Sequence, residues 1–177
     1  MKKIYILFAN KLFRDEELKI PLDFFKKKGI DLIKVSDKKE KATGKLGMEI
    51  FPDITYNEII ENEAIGIILV GGPGTKVFFE NTVIHDILHK FNNKKKIIAS
   101  ICISPVILAK AGILKGKKAT VWIDGKEELI KNGAIYINQD VVVDNNIITA
   151  NGPKVALQFA ETVYESIKSI ISLSYHQ

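Results

Sequence analysis

The chain has 177 residues, 46% hydrophobic and 27% charged, with a formal net charge of +5. That length holds one domain with a substantial core, is short for two, and the composition excludes a disordered chain. Arg14 is the only arginine, and the lysines cluster in "FFKKKG", "SDKKEK" and "NNKKKI", where helix ends and loops are expected; a nucleic-acid surface would combine a basic stripe with arginine and aromatics, so none is expected. Cys102 stands alone and forms no internal disulfide, which makes the cytoplasm the expected compartment. No run approaches the ~18 apolar residues of a membrane span.

The amino terminus, "MKKIYILFANKLFRDEE", carries about six apolar residues in a row, below the roughly 7–15 of a secretory leader. It reads as a first strand at 3–9, a continuous apolar run after Lys3 and so buried on both faces. Residues 15–29 have acids first, then Leu18, Leu22 and Phe25, then lysines and Gly29, which is helix punctuation in order. Pro21 inside it is expected to kink the helix or mark a second start. A second strand follows at 30–36, and 38–52 reads as a loop or hairpin outside the main sheet.

"AIGIILV" (64–70) is a third buried strand, broken by "GGPG" (71–74). Residues 80–94 form an amphipathic helix with Val83, Ile87 and Phe91 toward the core. "KIIASI" (96–101) is a fourth strand, and "SPVILAKAGI" (104–113) a helix with Ser104 as N-cap and Pro105 in its first turn. "KKATVWI" (117–123) reads as a strand, 125–133 as a short helix, and "DVVVDNNIITA" as a hairpin turning at Asp144-Asn145-Asn146. A long helix closes the domain at 153–171, leaving 172–177 as a tail. Alternating strands and helices, with mostly unbroken apolar strands, indicate a single α/β domain: a doubly wound, mostly parallel sheet with a small antiparallel appendage.

Open parallel sheets bind ligands at the carboxyl edges of their strands. The third strand ends there in Gly71-Gly72-Pro73-Gly74, able to turn tightly and expose N–H groups. The fourth ends in Cys102, immediately before a helix, where the positive amino end favours a thiolate and should lower the thiol pKa. The backbone N–H groups of Gly72 and Ile103 are then placed to face an oxyanion. The alternative is a small buried hydrophobe at a strand end. His85 and His89 stand four apart on a helix, a spacing that can bind metal; with no third ligand nearby, a solvated pair is expected and no metal or cofactor.

Several of these stretches carry a resemblance. "ANKLFRDEELKIP", "ILVGGPG", "IASICISPVILAKAGILKGKKAT" and "VVVDNNIITANGP", in this order from about residue 3 to 170, resemble the ThiJ/PfpI superfamily, which includes the PfpI intracellular peptidases and the parkinsonism-associated deglycase. The resemblance implies a flavodoxin-like domain, akin to class I glutamine amidotransferases, with a nucleophile elbow. It matches Cys102 to the elbow nucleophile and Glu17 to the glutamate held protonated beside the sulfur. Gly72 and Ile103 match the oxyanion donors, with Gly71, Pro73 and Trp122 expected as pocket wall. Read from the chain alone, Glu17 is equally an ordinary first-turn acid, and Trp122 a core aromatic.

Two departures matter. Peptidase-like relatives carry histidine directly after the cysteine, where this chain has Ile103. Others carry it at the end of the following strand, where this chain has Trp122. The late stretch "ITANGP" offers no histidine either, the next being His176. A cysteine–histidine dyad within the chain is therefore not expected, and a base from a neighbouring subunit stays open. The expected activity is glyoxalase- or deglycase-like addition of a thiolate to a small reactive carbonyl, in stress protection. The alternatives are an intracellular cysteine peptidase acting on peptides, and a redox sensor in which Cys102 oxidises. A homo-oligomer, dimer or higher, is expected.

Overall fold

The computed structural model describes residues 3–174, and strands and helices alternate through them. The first third of the chain contains β1 (Lys3–Leu7), β2 (Lys11–Phe13), α1 (Asp15–Lys27), β3 (Ile33–Ser36), β4 (Ala42–Gly44), β5 (Glu49–Ile50) and β6 (Ile54–Thr55). The middle holds β7 (Ala64–Leu69), α2 (Thr82–Asn93), β8 (Ile97–Ile101) and α3 (Pro105–Lys110). The last third holds β9 (Lys118–Ala119), α4 (Lys126–Lys131), β10 (Ile135–Tyr136), β11 (Val141–Asp144), β12 (Ile147–Ala150) and α5 (Ala156–Ser174).

The main sheet has seven strands in the order β11-β12-β8-β7-β1-β3-β6, all parallel except β11 at one edge. Side chains alternate across it, as a period of two requires. Ile4, Ile6 and Phe8 face the layer built by α1 and α5, with Leu18, Phe25, Phe159 and Val163. Tyr5, Leu7 and Ala9 face the layer of α2, α3 and α4, with Leu88, Phe91, Val106 and Leu129. Each large side chain so buried contributes about 1.5–3 kcal/mol. This is the doubly wound α/β arrangement, and the appendages are a β2-β4-β5 sheet and a β9-β10 pair.

Four local expectations are corrected. α1 is one helix, with Pro21 buried inside it rather than opening a second. On α2, Val83 is exposed, and the core face is Ile84, Ile87, Leu88 and Phe91, an i, i+3, i+4, i+7 stripe counted from the helix that Asn81 caps. In the 117–123 run only Lys118 and Ala119 are strand, paired with β10 and not with the main sheet. The N–H groups beyond them go elsewhere: Thr120 donates to Thr149 Oγ1 at 2.9 Å, and Trp122 to the Cys102 carbonyl at 2.8 Å. α5 runs to Ser174, past the end at 171 expected for it, while His176 lies outside the described residues.

Candidate active site

The carboxyl ends of β1, β7, β8 and β12 meet at one edge, and the chain passes from β8 to α3 there through a three-residue turn, Cys102, Ile103 and Ser104. Cys102 has φ +63°, a left-handed conformation costing an L-residue about 1–2 kcal/mol. Both of its backbone groups are tied: its N–H donates to Ala150 O at 2.9 Å, and its carbonyl accepts from Trp122 N–H. Ser104 fixes the turn from below. It is fully buried, accepts from Ile101 N–H at 3.0 Å, and lies 2.8 Å from the carbonyls of Leu69 and Ile101. Its side chain makes no helix-capping bond, so the expected cap is instead a rivet between β7 and β8. "SP" after the cysteine carries no signal that separates these roles.

The glycine turn lies against the elbow with no space for a side chain. A Cβ on Gly71 would meet Cys102 Cβ at 2.6 Å, Glu17 Oε2 at 2.7 Å and Ile101 O at 2.9 Å. Gly72 has φ +105°, and a Cβ there would meet Arg14 N at 2.5 Å. The Arg14 N–H in turn donates to Gly71 O at 2.9 Å. These close approaches clamp the start of α1, and with it Glu17, beneath the elbow.

Glu17 is fully buried, and its Oε2 accepts the Gly71 N–H at 2.9 Å. Oε1 is buried with no partner in full hydrogen-bond geometry, although the carboxyl and the Cys102 thiol are close enough to bond and to shift one another. An unsatisfied buried carboxylate oxygen is costly. A proton on it turns the oxygen into a donor toward the sulfur. Burial accordingly raises the Glu17 carboxyl to about 7, against the pull of its bonds to Cys102 and Gly71 and of the Arg14 charge.

The thiol does not follow the helix-dipole expectation. Burial first, then the Glu17 charge and hydrogen bond, push the Cys102 thiol up to about 12, while N–H groups of Gly72 and Ile103 at the sulfur pull it back. α3 has only six residues and begins with a proline lacking an N–H, so its dipole adds little to those two donors. The elbow thiol is thus raised, not lowered, for as long as its neighbour is ionised. The two groups behave as one coupled acid with two protons.

Above the sulfur is a cavity of about 850 Å³, lined by Gly72, Pro73, Cys102, Ile103 and Trp122 among others. Trp122 is 42% exposed, a cavity wall and not a core residue. Gly71 does not reach the cavity; it is the floor on which Glu17 and Cys102 meet. The sequence reading also missed Arg14, Glu16, Lys110 and Glu128, which line the rim. Arg14 Nε and Nη2 both bond the Glu16 carboxylate, at 2.8 and 3.1 Å. The chain's single arginine, two residues from an acid, was the available signal. Among the described residues no histidine lines the cavity; His85 Nε2 is engaged with Phe79 O at 2.9 Å, and His89 is exposed. No metal-binding cluster of His, Cys, Asp and Glu exists among the described residues, and no helix there is long and apolar enough to cross a membrane.

Fold and site together define an α/β protein with a cysteine at a strand–helix elbow over a buried carboxyl. The model of the DJ-1/PfpI family matches residues 2–166, and the chain belongs to that family. It is similar to an uncharacterized protein of Methanocaldococcus jannaschii, 42% identical over 169 residues that cover 94% of this chain and 82% of the relative. It is similar to the deglycase PfpI of Pyrococcus furiosus, 34% identical over 151 residues, 85% of this chain and 90% of that protein. A ThiJ/PfpI domain protein from Brachyspira murdochii superposes with a TM-score of 0.92 at 28% identity, covering 96% of this chain and 99% of that one.

Proposed function

We propose that the protein acts on small reactive carbonyl compounds through Cys102, as a glyoxalase- or deglycase-like enzyme. The observation that carries this reading is the arrangement around one sulfur: the Glu17 carboxyl beneath it, with its value raised to about 7, and two backbone N–H groups beside it. When the pair has lost one proton, the charge on sulfur is the form that satisfies every group, because Gly72, Ile103 and the Glu17 O–H then all donate to it. The thiolate attacks the carbonyl carbon, the S–C bond forms, and the C=O pair moves to oxygen, which takes the Glu17 proton. The product is a hemithioacetal and a Glu17 carboxylate. If the substrate is a 2-oxoaldehyde, that carboxylate removes the hydrogen on C1 as a proton and returns it to C2. The C1 hydroxyl proton passes to the C2 oxygen, so C1 is oxidised to a thioester while C2 is reduced to an alcohol, and water then cleaves the thioester to release a 2-hydroxy acid and return its proton to the Cys102–Glu17 pair.

Glu17 supplies every proton that chemistry needs, so no imidazole is required. Amide hydrolysis must protonate a leaving amine out in the cavity, where no histidine stands among the described residues, and peptidase action ranks lower. The name of the Pyrococcus relative supports the same ordering. A cytoplasmic place, stress protection and a homo-oligomeric state belong to this proposal; the exposed Leu46 and Phe51 support the last. Turnover of methylglyoxal, followed as lactate formed, is expected in wild type and lost in Cys102→Ala. Equal turnover by both would refute a role for the sulfur.

A further inference from the structure

The cavity over Cys102 has a floor without charge to spare and a rim with an excess of one sign. Five cations line it, Arg14, Lys45, Lys76, Lys110 and Lys154, against the three acids Glu16, Asp124 and Glu128. Two of the cations are committed. Arg14 is held by Glu16, and Lys110 lies 3.2 Å from Glu128 and 2.6 Å from Glu80. Lys45, Lys76 and Lys154 form no ion pair among the described residues. They rise from three separate segments: the β4–β5 turn, the stretch after the glycine turn, and the start of the last helical segment. Three unpaired ammonium groups converging on one concavity create a positive field that the low-dielectric walls concentrate.

We infer that the substrate is an anionic carbonyl compound, one whose reactive C=O is accompanied by a carboxylate or phosphate that the rim lysines hold while the carbonyl meets Cys102. This rests on the function proposed above and names its substrate class. The Gly72 and Ile103 N–H groups are occupied with the sulfur and the carbonyl oxygen. The anionic group therefore has only the rim to meet. Arg14 adds a directed donor there: Nε and Nη2 face Glu16, and Nη1 has no partner among the described residues. Apolar Phe79, Val106 and Pro153 line the space between, room for a short carbon chain and little else that is polar.

Trp122, the chain's only tryptophan, lines this cavity and reports its occupancy by fluorescence. The test uses the full chain carrying Cys102→Ser, so that no adduct forms and binding alone is read. Two matched pairs are titrated, pyruvate against pyruvamide and dihydroxyacetone phosphate against dihydroxyacetone. Within at least one pair the anion should bind about tenfold or more tighter at low ionic strength. That ratio should shrink toward one in about 1 M salt, where the Debye length is about 3 Å. Whichever pair shows the larger ratio identifies carboxylate or phosphate as the group held. Lys76→Gln combined with Lys154→Gln, both at exposed positions, should reduce the ratio about tenfold and leave the neutral compounds unchanged. Equal binding within both pairs overturns the inference, as does a preference indifferent to salt or to the lysine variants, or silence from all four compounds. Because the serine variant cannot form the adduct, an anion preference seen there alongside absent methylglyoxal turnover in wild type would refute the proposed chemistry alone.

Discussion

Glu17 and Glu128 are the same residue type beside the same cavity, and they are moved in opposite directions. Glu128, at the rim, is pulled below its ordinary value by hydrogen bonds from Lys110 and then Asn132. Glu17, at the floor, is raised to about 7, and burial is the leading cause. The rim carboxyl has water and a cation to stabilise its charge. The floor carboxyl has one backbone N–H and a sulfur. Position in the fold, not residue type, makes one of them a surface ion pair and the other a proton carrier.

The floor depends on backbone contact, so the largest effect is expected where that contact is overfilled. Gly71→Ala places a methyl 2.6 Å from Cys102 Cβ and 2.9 Å from the Ile101 carbonyl. It should cost about 3 kcal/mol or more in urea unfolding, the upper range for overpacking, and slow alkylation of Cys102. Near-wild-type stability would mean that the elbow and the glycine turn are not in contact in solution.

Next in size is the pH dependence carried by Glu17. Its folded value, about 7, lies above the ordinary 4.5, so the native state holds the proton more tightly than the unfolded chain does. That stability is fully present below about pH 4.5 and is lost as pH rises through about 7. The gap corresponds to about 3 kcal/mol. Denaturant unfolding at about pH 5 and about pH 8 should show wild type losing stability between the two, while Glu17→Gln stays nearly flat. A flat wild type would place an ordinary, solvated carboxyl at residue 17.

The smallest effect is expected at the rim. Lys110→Met removes the partner of Glu128, a half-buried rim pair still in contact with water and expected to contribute about 1 kcal/mol or less. It should leave the alkylation rate of Cys102 unchanged. A loss as large as that in Glu17→Leu would show floor and rim to be one network.

The split between floor and rim also governs what the sequence disclosed. Unbroken apolar runs marked β1, β7 and β8, because strands covered on both faces need no polar alternation. "GGPG" and the passage from "IASI" through Cys102 to "SP" marked the edge where ligands are met. The 117–123 run misled, since its apolar residues fit a strand while its N–H groups go to Thr149 Oγ1 and to the Cys102 carbonyl. Val83 misled because it stands four residues before Ile87 and eight before Phe91, a spacing that drifts off the face that Ile84, Ile87, Leu88 and Phe91 bury. With Glu17 ionised the thiol is raised rather than lowered, because burial and the Glu17 charge outweigh the helix start. A helix start is visible in sequence; burial of a sulfur against a carboxyl from a helix 85 residues earlier in the chain is not.

The claim at the centre is that Cys102 and Glu17 share one proton near neutrality, with the charge on sulfur. A single cysteine makes it directly measurable, since thiolate absorbance in the ultraviolet reports Cys102 alone. Titrated in wild type, that absorbance should already rise near neutrality, below the ~8.5 of a free thiol, as the pair loses its first proton. In Glu17→Leu the midpoint should climb by about one to two pH units, the worth of a hydrogen bond to a charged group. A wild-type thiol that stays protonated until the pH approaches about 12 would put the charge on Glu17 instead and contradict the claim.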